Sequence, residues 1–123
     1  MQIETTIDGR NAFMGSFSDN MIKCGLFNQN DQELTYIYYE RQSIAWSLDA
    51  SEGELTTQVV AGTDYAVRFS VGAGTVKYVG FFNLDGDLLV KIDLEGDAVT
   101  YDSADAFDIV SITMNPVLEL IIE

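Results

Sequence analysis

Between Tyr65 and Tyr101 apolar and polar side chains alternate with a period of two, and glycine-bearing turns interrupt the alternation. That period belongs to a strand with one buried face and fits no helix. Tyr65, Val67, Phe69 and Val71 fall on one face, Ala66, Arg68 and Ser70 on the other. Gly72-Ala73-Gly74 reads as a hairpin turn, after which 75–83 sets Val76, Tyr78 and Phe82 against Thr75 and Lys77. Asp85-Gly86 is the strongest hairpin signal in the chain, because glycine supplies the positive φ that such a turn demands. Residues 87–94 then direct Leu88, Val90, Ile92 and Leu94 inward and Asp87, Lys91 and Asp93 outward, and Glu95-Gly96 turns into 97–101. The pattern predicts a four-stranded antiparallel meander over 65–101.

Further strands are predicted at 2–7, 21–27, 34–39, 43–48, 55–60, 107–114 and 117–122. Together they exceed the strand content of an ordinary domain, so one or two belong to loops, 43–48 and 55–60 first. Residues 8–20 are turn-rich and predict a surface loop in which Phe13, Met14 and Phe17 allow a short helical turn. Pro116 fits a turn or the first position of an edge strand. Many short strands separated by turn residues predict an all-β chain, an antiparallel β-sandwich of jelly-roll type, with residues 1–123 as one domain. Strands 34–39 and 75–83 carry apolar residues on both faces, which requires a second cover: either a loop or a partner protein.

Residues 54–71, with Thr57-Gln58-Val59-Val60-Ala61-Gly62-Thr63-Asp64-Tyr65-Ala66-Val67-Arg68-Phe69 at their centre, resemble a strand–turn–strand run of jelly-roll, galactose-binding-like and carbohydrate-binding-module domains. The resemblance implies that Gly62-Thr63 makes the turn and that Tyr65 and Phe69 enter the core. It carries over no ligand-binding residue. The same architecture also builds phage capsid, decoration and tail proteins, so what it implies is a fold more than a function.

Charge then removes function classes. Six basic residues stand against 20 acidic ones, a net −14, with three basic and nine acidic residues in 1–62 and three and eleven in 63–123. Scattered cations cannot grip phosphates, and an anionic membrane surface repels such a chain. Histidine is absent, which eliminates Ser-His-Asp and Cys-His nucleophiles, imidazole acid–base work and histidine-bound zinc. The single cysteine, Cys24, lies in an apolar run and reads as an inert core thiol. The opening Met1-Gln2-Ile3-Glu4 has neither a basic region nor an apolar run, so the expected location is cytoplasmic at synthesis.

Three constellations remain. Asp85, Asp87, Asp93 and Asp97 would be the oxygen ligands if calcium bound the turn region. Their spacing fails the EF-hand pattern, however, and hairpin turns require Asp-Gly and Glu-Gly without any metal. Asp102, Asp105 and Asp108 read as a solvated loop. Tyr36, Ile37, Tyr38 and Tyr39, with Trp46 close behind, offer rings for a protein interface or for stacking on sugars, while Trp46 itself is expected in the core. Leu118, Leu120 and Ile122 would form an aggregation-prone edge unless covered within a sheet or by another subunit.

No catalytic residue and no cofactor is therefore expected. The leading expectation is a non-enzymatic structural or assembly protein, in its most concrete form an accessory protein of a phage virion that decorates a capsid or belongs to a tail or fibre. It would act through protein–protein contacts, as a homo-oligomer or within a larger assembly. The alternative is a carbohydrate-binding module, with Tyr36, Tyr38, Tyr39 or Trp46 as stacking platforms.

Overall fold

The computed structural model describes residues 6–49, 54–58 and 67–114. Strands dominate, every pairing is antiparallel, and one helix is present among the described residues. The chain begins with helix α1 (Ile7–Asn20), followed by β1 (Lys23–Phe27), β2 (Gln42–Ser43), β3 (Ala45–Asp49), β4 (Glu54–Gln58) and β5 (Val67–Val71). It continues with β6 (Gly74–Val76), β7 (Tyr78–Phe82), β8 (Leu88–Asp93), β9 (Val99–Tyr101), β10 (Asp105–Ile109) and β11 (Thr113–Met114). The sheets run β2-β1-β7-β8, β11-β4-β3, β5-β10 and β6-β9. The predicted strand ends 2–5 and 59–60, the Gly62-Thr63 turn, Tyr65, Pro116 and the strand 117–122 with Leu118, Leu120 and Ile122 lie outside the described residues.

A four-stranded antiparallel sheet forms, but only β7 and β8 come from 65–101. The Asn83–Asp87 turn reverses the chain around Gly86, at φ +85°, as Asp85-Gly86 predicts. The other two glycine turns do not reverse it. β5 pairs with β10, Val71 opposite Asp105, and β6 pairs with β9, Gly74 opposite Tyr101. Residues 67–82 thus run out as one bent arm and 88–109 return as the other, nested about a single hairpin. Gly72-Ala73-Gly74 kinks the outgoing arm, with Gly74 at φ +140°, and the short 3-10 turn at Glu95–Asp97 kinks the returning one. Period-two alternation is the same for a meander and a nested hairpin, so it leaves the partner strand open.

Most of the buried side chains form one continuous cluster. It draws Cys24 and Leu26 from β1, Val67, Phe69 and Val71 from β5, Val76 from β6, Val79 and Phe81 from β7 and Ile109 from β10. Trp46 packs against it, edge-on to Phe81, and its indole N–H donates to the Met21 carbonyl at 2.9 Å. A bulge between Phe81 and Phe82 places Phe82 opposite Leu88 and Phe81 opposite Val90. Val90, Ile92 and Leu94 therefore meet the core while Leu88, expected inward, lies on the outer face beside Gly80.

Two further elements depart from the sequence reading. Residues 7–20 are a 14-residue helix, not a loop. Thr6 caps it by accepting from the Gly9 N–H at 3.0 Å, Asp8 lies in its first turn, and Met14 buries into the core. Residues 34–39 are not a strand: the chain turns at Ile37-Tyr38, with the Tyr39 N–H donating to the Tyr36 carbonyl at 2.9 Å. The segments 43–48 and 55–60, singled out as loop candidates, do hold strands, β3 and β4.

Candidate functional site

β1 pairs with β2 only at Lys23 and Cys24, which leaves the backbone of Gly25 to Phe27 without a strand on that side. Residues 33–41 close it. The Leu34 N–H donates to the Leu26 carbonyl at 3.0 Å, and the Leu26 N–H donates to the Tyr39 hydroxyl at 2.9 Å. Tyr39 in turn donates to Glu33 Oε2 at 2.7 Å, and Arg41 grips both Glu33 oxygens at 2.9 Å. Burial raises the Glu33 carboxyl, but hydrogen bonds from Arg41 and Tyr39 outweigh that and hold it below the usual carboxylate range. Burial and the bond to Glu33 push the Tyr39 phenol well above its ordinary value.

The same segment covers the outer face of the four-stranded sheet. Phe27 and Phe82 stack there at 6.1 Å, and the Arg41 guanidinium lies 3.6 Å from the centre of the Phe82 ring. Glycines make the space: a Cβ at Gly80 would come within 2.6 Å of Phe27, and one at Gly25 within 2.7 Å of the Tyr39 hydroxyl. The second cover that the sequence demands for 75–83 is therefore supplied within the chain. Tyr39 belongs to that cover and stacks on Phe69 at 6.1 Å.

Tyr36 and Tyr38 lie apart from it. Their rings meet edge-on at 5.5 Å, Tyr38 and Ile37 are exposed, and Tyr36 is half-buried against Gly72. Tyr36 also lines a groove of about 640 Å³ whose walls come from residues 28–36 and 72–76.

A second open surface was missed in the sequence. Helix α1 turns Phe13 and Phe17, which are 54% and 37% exposed, toward solvent. They are four residues apart on one stripe and line a shallow recess of about 420 Å³ with Asn83 and Leu89. Leu84, in the adjoining turn, is exposed as well. The available signal was the spacing of Phe13 and Phe17 read together with the Thr6 cap.

The calcium candidates do not converge. Asp93 accepts from the Glu95 N–H at 2.8 Å and pairs with Lys77 at 3.4 Å; the Asp87 side chain accepts from Asn83 at 3.2 Å. Asp85 and Asp97 are exposed. No group of three or more His, Cys, Asp or Glu residues placed to hold a metal ion occurs among the described residues. Arg68 pairs across the strands with Asp108 at 2.8 Å, and Lys91 pairs with Asp31. Arg41, Arg68, Lys77 and Lys91, four of the chain's six cations, are thus each paired with a carboxylate. Cys24 is fully buried and its thiol is pushed up to about 12 by that burial, so it stays protonated. No helix among the described residues is long and apolar enough to cross a membrane. No protein family, curated protein or solved structure matches this chain.

Proposed function

We propose that this protein is a non-enzymatic structural or assembly protein that works by protein–protein contact through the α1 surface. The observation that carries the reading is the outward placement of Phe13 and Phe17 beside Leu89. Exposed apolar side chains gathered on one face mark contact surfaces on soluble proteins. Asn83, which lines the recess, donates to Asp87, so the hairpin turn brings a carboxylate to its edge. A net charge of −14 disfavours contact between copies of the chain and favours, as the partner at this surface, a different protein with an apolar contact and a basic rim. In its most concrete form the reading is an accessory protein of a phage particle, in a capsid, tail or fibre. Distributed negative charge supports an outer position there, since packaged DNA repels it.

Cosedimentation with purified phage shells and tails tests this reading. Wild type is expected to pellet with a particle component, and the double variant Phe13→Ser, Phe17→Ser to remain in the supernatant while keeping its circular dichroism spectrum. A wild-type protein that pellets with no particle component overturns it.

A further inference from the structure

We infer that the groove between residues 28–36 and 72–76 is a binding site for a neutral saccharide. This goes beyond the contact proposed for α1, because the groove is built from other elements and does not depend on that contact. Its volume of about 640 Å³ falls within the range of roughly 300–1,000 Å³ typical of small-ligand sites. The chemistry of its walls selects the ligand class. Gln29 and Gln32 bring amides, Thr35 and Thr75 bring hydroxyls, and Tyr36 brings an aromatic ring. Amides and hydroxyls both donate and accept, which matches the dual character of sugar hydroxyls, and a ring packs on the C–H face of a pyranose. No lysine or arginine is among the described residues that line the groove, and Glu33 is, so phosphorylated, sulfated or sialylated ligands find no counter-charge in its walls and are repelled by the acidic chain.

Tyr36 is also held in advance. Its ring occupies the space that a Cβ at Gly72 would need, at 2.7 Å, and its carbonyl closes the turn from Tyr39. A ring fixed before the ligand arrives pays little ordering entropy on binding. Gly72 is thus what allows the platform to exist, as well as a kink in the outgoing arm.

The test is a titration of isotope-labelled protein, followed by amide NMR, with glucose, galactose, mannose, N-acetylglucosamine and their β-1,4-linked oligomers at millimolar concentration. A sialylated and a sulfated glycan and an unstructured peptide form the control arms. At least one neutral sugar is expected to shift amides in both walls, and Tyr36→Ala to weaken that binding about tenfold, the loss of one aromatic contact. Gln32→Ala, at an exposed loop position that does not threaten folding, is expected to weaken it as well. Phe13→Ser is expected to leave it unchanged, which separates this site from the α1 contact. Absence of shifts with every neutral sugar overturns the inference, as do shifts outside the two walls or a preference for the anionic glycans or the peptide.

Discussion

The outer face of β1 and β7 and the outward stripe of α1 carry the same kind of side chain and treat it in opposite ways. Phe27 and Phe82 point away from the core, yet they are only 8% and 3% exposed, because Arg41, Leu88 and the 33–41 segment close over them. Phe13 and Phe17 also point away from the core, and nothing among the described residues closes over them to that degree. The chain contains what is needed to cover an aromatic pair: a glycine beneath each ring, a guanidinium above and a carboxylate to hold the guanidinium. It spends that arrangement on one pair and leaves the other open. The apolar excess of this small acidic protein thus goes to two places, an internal second layer and an open stripe on α1.

The widest separation between the two regions comes from truncating a ring in each. Phe82→Ala removes a nearly buried phenyl ring and strands Arg41 above a hole, and should cost about 3–5 kcal/mol. Phe13→Ala should stay within about 0.5 kcal/mol, as changes at open surface positions do. Urea midpoints of the two variants measure the difference. Equal midpoints would mean that the outer face of β7 contributes no more than open surface, and the distinction between the regions would fail.

Glycines sharpen the same contrast with an opposite sign. Gly80→Ala pushes a methyl group to 2.6 Å from Phe27 and 2.7 Å from Leu88, and should destabilise by about 1–3 kcal/mol through overpacking. Gly15 sits inside α1 with nothing within 4 Å of its would-be Cβ. Gly15→Ala should therefore stabilise by roughly 0.5–1 kcal/mol, the helix preference of alanine over glycine. Thermal melting of both variants checks the signs, and a stabilised Gly80→Ala would refute the covered second layer.

These regions also explain what was legible in the sequence. β5 reads correctly because it has one covered face: Val67, Phe69 and Val71 buried, Arg68 and Ser70 exposed. β7 carries apolar residues on both faces, and the sequence signals the need for a cover without saying which segment supplies it. The cover, 33–41, looks like a strand for a physical reason. Its rings fall on both sides, as in a strand covered on two faces, because Tyr39 reaches inward to Phe69 and Leu26 while Tyr38 stays outside. The helix is hidden by Gly9, Gly15, Ser16, Ser18 and Asn20, which lower its intrinsic propensity; the burial of Met14 and Met21 outweighs them. Of the candidate site residues, Tyr36 and Tyr38 are legible as rings, but their separation from Tyr39 depends on a turn at Ile37-Tyr38 that no local signal marks. The partnership of Glu33 with Arg41 is invisible in sequence, because it depends on how the loop folds back.

That partnership allows the smallest and most specific test. Arg41 and Tyr39 together hold the Glu33 carboxyl below the usual range against the opposing effect of burial. The folded state therefore binds the Glu33 proton less readily than the unfolded chain does. On acidification the unfolded state takes up that proton first, so stability supplied by this group is full above its ordinary value near about 4.3 and is lost as pH falls through the depressed folded value. Asp93 and Asp108, also lowered, tilt the acid limb in the same direction. A comparison of wild type with Glu33→Gln removes their shared slope. The difference in urea midpoint between the two proteins should be largest near neutral pH and shrink progressively below about pH 4.3. Because Phe13→Ala removes no titratable group, its curve over the same range should run parallel to wild type. Parallel curves for Glu33→Gln as well would mean that the carboxylate is not what holds the 33–41 segment over the outer face.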